Sequence, residues 1–140
     1  MFDHRETLFH AANQLARRLS QRLREALAPI GLQPAQFSAL SEIGREDGIT
    51  QSELTARLGV EQPGVARTLA GLEAEGLIRR TALGKGRAQG LYLTDKARGL
   101  LPDAAKAAAD AERELLGGLS RTEAAQLIDD LSVLAGDLRR

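Results

Sequence analysis

The stretch TQSELTARLGVEQPGVARTLAGLEAEG, residues 50–76, constrains the fold more than any other part of the chain. Thr50 and Glu53 stand at capping-box spacing, where a hydroxyl accepts one free helix N–H and a carboxylate accepts another. Leu54 and Leu58 face one side of the short helix that follows, and Gly59 ends it. A second helix opens at once, with Val65, Leu69 and Leu72 on its apolar side, and stops at Gly76. Two helices joined by so tight a turn have helix-turn-helix spacing. The second is built oddly for a core helix: Pro63 and Gly64 open it, and Arg67 and Thr68 stand among small residues. In helix-turn-helix units the first turns of the second helix enter the DNA major groove. Gly64 and Ala66 keep those turns slim, and Gln62, Arg67 and Thr68 project. Arginine reads guanine bidentately and glutamine reads adenine, and the unpaired N–H groups of the helix start favour phosphate.

Beyond Gly76 the period changes. LIRRTAL and GLYLT are short β-type runs joined by the basic, turn-rich GKGRAQ, which predicts a hairpin and hence a winged helix-turn-helix. Long amphipathic helices are predicted on both sides. Residues 5–28 carry Leu8, Ala12, Leu15, Leu19, Leu23 and Leu27, and Pro29 with Gly31 stops that helix. A further helix starts near Pro34 and carries Phe37, Leu40 and Ile43 before REDGIT breaks it. After the hairpin Thr94 caps an Ala-rich helix over residues 96–116, in which Pro102 predicts a kink or a late start. Ser120 and Glu123 form a second capping box, opening a last helix with Leu127, Leu131, Leu134 and Leu138. The fold class is therefore mainly α with a small β-hairpin, in one domain over residues 1–140. Residues 32–96 form the DNA-binding winged helix, and residues 1–31 and 97–140 form the dimerisation helices. The apolar stripes on the end helices are predicted to be buried against a second copy, because large exposed apolar patches are rare.

Composition excludes several functions. The absence of Cys removes disulfides, zinc–thiolate sites and catalytic thiols. The two histidines, His4 and His10, are six residues apart and are expected on different helix faces. No acidic cluster has metal spacing, no cofactor motif is present, and GKGRAQG is not a nucleotide-binding phosphate loop. No enzyme activity is expected. With no signal peptide and no apolar run approaching the roughly 20 residues of a membrane span, the expected location is cytoplasmic and away from the membrane. The net charge is zero, but residues 79–98 hold six basic residues and one acid, while residues 103–140 hold eight acids and five bases. Charge sorted this way presents a basic face on a neutral molecule. ARRLSQRLR, residues 16–24, sets four arginines between apolar positions, the pattern of a solvated face.

GLQPAQFSAL (residues 31–40), ITQSELTARLGVEQPGVARTLAGLEAEGLI (49–78) and LYLTDKARGLL (91–101) together resemble the MarR family of bacterial winged helix-turn-helix regulators. The likeness covers nearly the whole chain. It implies a homodimer with interlocked first and last helices, recognition helices in successive major grooves of double-stranded DNA, and wing arginines in the minor groove. It also implies a repressor acting on a pseudo-palindromic operator, and a small aromatic effector held between the two regions. Carried over by position, the DNA-binding residues are Thr50, Gln51 and Ser52 toward phosphate, and Gln62, Gly64, Arg67 and Thr68 on the recognition helix. Arg87 is the wing arginine, with Lys85 beside it. His10, Asn13 and Phe37 are the ligand-binding candidates. Two positions depart from the family pattern. Gly64 stands where members commonly carry Ser or Thr, and Lys85 stands where they commonly carry the Asp that orients the wing arginine. A winged-helix protein-interaction module without DNA binding is the alternative reading, and the neutral net charge keeps it open.

Overall fold

The computed structural model describes residues 1, 3–84, 86 and 88–136. Thr7, rather than a residue near Arg5, caps the first helix: its Oγ1 accepts from the His10 N–H at 3.2 Å and donates to the His4 carbonyl at 2.6 Å. Helix α1 is therefore Leu8–Leu27, and a 3-10 turn, His4–Glu6, precedes it. That turn corrects the expectation for the histidines. Off the helix, His4 folds back so that its ring meets His10 edge-on, centroids 5.1 Å apart.

Helices α2 (Pro34–Arg45), α3 (Gln51–Leu58) and α4 (Gln62–Ala74) follow. Strands β1 (Ile78–Ala82) and β2 (Gln89–Leu93) form the antiparallel hairpin, with Arg80 opposite Leu91. Helices α5 (Asp95–Leu115) and α6 (Arg121–Leu134) are the last elements among the described residues. Pro102 neither delays α5 nor ends it. The helix begins at its Thr94 cap and runs through the proline, although a proline inside a helix costs about 3 kcal/mol. Packing of both halves of α5 against the rest holds it: Ala97 and Ala104 are fully buried, one on either side of Pro102.

The core is centred on the helix-turn-helix. Leu40 and Ile43 of α2, Leu54 of α3, Leu69 and Leu72 of α4 and Leu91 of β2 are all fully buried. Each such side chain contributes about 1.5–3 kcal/mol of burial. The base of the hairpin is pinned to the segment before α3. The Leu91 N–H donates to the Ile49 carbonyl at 2.8 Å, and the Gly48 N–H donates to the Leu91 carbonyl at 3.0 Å. A Cβ on Gly90 would lie 2.9 Å from the Gly48 Cα, so this close approach requires glycine.

The outer helices are less well covered. Helix α5 packs on α1 through small residues, with an Arg22–Glu114 ion pair at 3.2 Å beside them. Leu27 is the one fully buried residue of α1, and α6 buries none of its side chains. Leu138, expected on the last apolar stripe, lies outside the described residues. No described helix is long and apolar enough to cross a membrane.

Candidate nucleic-acid interface

Gly59 ends α3 in the left-handed region, φ 65°, and its N–H donates to the Thr55 carbonyl at 3.1 Å. This sharp exit lets α4 begin three residues later. Val65, Leu69 and Leu72 fill the inner side of α4, which leaves Gln62, Gly64, Ala66 and Arg67 exposed on the outer side. Thr68 is half-buried at the edge. A Cβ on Gly64 would meet nothing within 4 Å, so packing within the chain does not require glycine there. The slimness of the first turns serves nothing inside the protein.

At the start of α3 the predicted capping box is only half formed. Thr50 Oγ1 accepts from the Glu53 N–H at 3.2 Å, as expected. The Glu53 carboxylate receives the Thr50 hydroxyl at 3.0 Å rather than the Thr50 backbone N–H. Gln51, half-buried, turns toward α4: its Nε2 donates to Gln62 Oε1 at 3.3 Å. Ser52 is exposed. Thr50, Gln51, Ser52, Gln62, Gly64, Arg67 and Thr68 thus gather where α3 and α4 begin. Lys85 and Arg87, at the tip of the hairpin, lie outside the described residues.

Sequence reasoning missed one residue that ties this surface together. Arg80 of β1 donates from Nε to Glu73 Oε2 at 2.9 Å and from Nη1 to Gln51 Oε1 at 3.3 Å. Arg80 and Gln51 are 29 positions apart, so no local period marks the pair. The other described basic residues of this region, Arg79, Lys96 and Arg98, are also engaged. Arg79 lies over the Tyr92 ring, 4.8 Å from its centroid. Arg98 pairs with Asp95 at 3.3 Å, and Lys96 Nζ donates to the Glu75 carbonyl at 2.8 Å. Among the described residues, the basic side chains of positions 79–98 are therefore tied up in local partners.

The ligand-binding candidates do not converge within one chain. Asn13 borders a shallow cleft along α1 with Arg17, Ser20, Gln21 and Arg24, and donates to the Phe9 carbonyl at 2.8 Å. Phe37 lines a different cleft of about 340 Å³ between α1, α2 and α5, with Leu19, Leu23, Ala105, Ala108 and Glu112. His10 packs against His4 instead. Asn13 faces outward because it stands two residues before Leu15, which puts it on the side of α1 away from the Leu15–Leu19–Leu23 stripe.

A capped helix, a glycine turn, an exposed second helix and an antiparallel hairpin define a winged helix-turn-helix protein. Comparison with known proteins narrows this further. Residues 30–88 match the model of the MarR family. The transcriptional repressor CouR is 33% identical in a structure bound to a 23-mer DNA duplex, with 93% of each chain covered and a TM-score of 0.87. CouR bound to p-coumaroyl-CoA gives 33% identity over 93% of this chain and 92% of that one, with a TM-score of 0.85. The M. tuberculosis regulator MOSR, in complex with DNA, is 31% identical over 96% of this chain and 100% of that one, with a TM-score of 0.77. An uncharacterized HTH-type transcriptional regulator of Bacillus subtilis, YwoH, is 38% identical over 73 residues. In that match the chain spans about half the length of the curated relative, 53%. The chain belongs to the MarR family of DNA-binding transcriptional regulators.

Proposed function

We propose that this protein is a sequence-specific regulator that binds a pseudo-palindromic operator as a homodimer and represses by occupying it. The carrying observation is the first turn of α4, exposed beside the start of α3 and slim at Gly64 without any internal need for it. Residues 32–96 read the duplex, and residues 1–31 with 97–140 form the dimer. Arg67 and Gln62 reach base edges, while Thr50, Gln51, Ser52 and Thr68 hold the backbone. The wing residues Lys85 and Arg87 complete the grip. Each protomer carries one reading head, so a two-fold dimer matches half-sites about one helical turn apart. The exposed apolar residues of α1 and α6 support pairing through the end helices.

Release by a small aromatic effector is part of this reading. It is supported by the apolar walls of the cleft holding Phe37, Leu19 and Leu23, and by the p-coumaroyl-CoA bound to CouR. The protein acts in the cytoplasm, where operator DNA lies, without enzymatic activity of its own. Selection of bound duplexes from a random pool is the test. It is expected to return two inverted half-sites, with binding that weakens steeply as salt rises. Recovery of no preferred duplex, or binding indifferent to salt, would make the fold a protein-interaction module instead.

A further inference from the structure

We propose that Arg80 is a positioning residue for base recognition, fixing the amide of Gln62 so that it meets DNA as a hydrogen-bond donor. The inference rests on the DNA-binding reading above and adds to it the chemistry that one half-site position selects.

Arginine has five N–H donors and no acceptor. The Gln51 atom facing Arg80 Nη1 at 3.3 Å is therefore oxygen, since nitrogen would set donor against donor. That turns the Gln51 NH₂ toward Gln62, 3.3 Å away, and Gln62 in turn answers with its oxygen. Each amide copies the polarity of the one before it. The chain is anchored at its far end by the Glu73 carboxylate, which accepts from Arg80 Nε at 2.9 Å. This first link joins two full charges and is the strongest of the three. Arg80 is only 24% exposed, so water competes weakly for it. The chain runs from the last turns of α4 through β1 and the first residue of α3 to the first residue of α4.

Gln62 is thereby left with its NH₂ unused inside the chain, while its oxygen is held toward Gln51. Bidentate reading of adenine needs that oxygen turned to the adenine N6 amino group as well. A donor-presenting amide instead suits edges rich in acceptors: guanine, with N7 and O6, or thymine, with O4. Cytosine, which offers its N4 donor in the major groove, is disfavoured. On this proposal Gln62 favours guanine or thymine over the adenine that an unconstrained glutamine amide reads.

Selection of duplexes with the full chain and three variants tests this. The wild type is expected to select guanine or thymine at one position of each half-site. Gln62→Glu still accepts from Gln51 but offers only acceptors, so preference there is expected to move to cytosine or adenine. Arg80→Lys keeps the positive charge but loses the rigid fork that spans Gln51 and Glu73. It is expected to flatten preference at that one position by about tenfold (about 1.4 kcal/mol), with the other positions and the salt slope unchanged. Should Arg80→Lys fail to fold by circular dichroism, Glu73→Gln loosens the same anchor from a site away from the first turn of α4 and is expected to flatten the same position. Uniform weakening on all sequences, with a salt slope lower by about one, would make Arg80 a phosphate contact and overturn the proposal. So would an unchanged preference at the Gln62 position. A wild type that selects no sequence at all would overturn the DNA-binding reading and this inference with it.

Discussion

Leu40, Leu54, Leu69 and Leu91 are fully enclosed in the winged middle, whereas Phe9 of α1 is 81% exposed and Leu134 of α6 is 68% exposed. Three helices and a hairpin enclose most of the apolar residues of the middle, with Leu27 of α1 and Ala97 and Ala104 of α5 closing the same core. Only Val60 and Leu83 stand open among its described large apolar residues. The outer helices are more open: α6 leaves Ile128, Val133 and Leu134 uncovered. The difference separates two tasks. A region with a closed core can hold polar side chains rigidly on its surface, as Gln51, Gln62 and Arg80 are held. A region with open apolar stripes is stable only when something covers it, and on the proposed reading a second copy does.

The largest effect should come from charging the uncovered stripe. Ile128→Glu combined with Leu134→Glu would bury carboxylates without partners, at about 3–5 kcal/mol for each one left unpaired. Sedimentation is expected to show the mass of two chains for the wild type and of one chain for this variant at micromolar concentration. An unchanged mass would place the interface elsewhere. The matching change in the middle is Leu69→Ala, which opens a cavity in a closed core and costs about 2–5 kcal/mol. Denaturant unfolding should register this loss directly, and a loss below about 1 kcal/mol would show that the core is looser than its burial implies.

The next two changes probe the surface the middle presents. Arg67→Ala should weaken specific duplex binding by about 1–3 kcal/mol and relax preference at one position per half-site. Equal weakening on all duplexes would assign Arg67 to a phosphate. Gly64→Ala separates folding from binding. A methyl there meets nothing within 4 Å, and alanine favours helix over glycine by up to about 1 kcal/mol. Thermal stability should therefore hold or rise while duplex affinity falls. If affinity also holds, the slim turn has no part in docking.

The smallest effect is set by pH and falls on the frame. Hydrogen bonds from the Ser120 backbone and then its side chain hold the Glu123 carboxyl below the ordinary glutamate range. The folded state thus favours the carboxylate. Its support of the α6 start is complete above pH 4.5 and is lost as pH falls through the lowered folded value. In an acid titration followed by circular dichroism, wild type should lose a little helix that Glu123→Gln loses independently of pH. Parallel acid curves for the two proteins would remove the carboxylate from the account.

Most of the fold was legible because its signals are local. Thr50, Thr94 and Ser120 each cap the helix expected of them, since a cap needs only residues three positions apart. The 3.6-residue period gave the inner faces of α2 and α4, and the order of elements followed. The start of α1 was misplaced because Asp3 and Thr7 offer competing side-chain hydrogen bonds that period alone does not weigh. On the proposed interface, the exposure of Gln62, Gly64 and Arg67 was legible because they interrupt an apolar pattern.

The sequence by itself determined the helices, the glycine turn and the residues exposed on the second helix. Caps, breakers and apolar periods act over a few residues, where the chain's own covalent spacing sets the geometry. Only the tertiary structure decided that α5 continues through Pro102, that Asn13 and Phe37 line separate clefts, and that Arg80 links Glu73 to Gln51. These outcomes depend on groups brought together from distant parts of the chain. Packing can override a local preference there, and a hydrogen bond takes its direction from whichever partner has no choice: at Arg80, a guanidinium that can only donate.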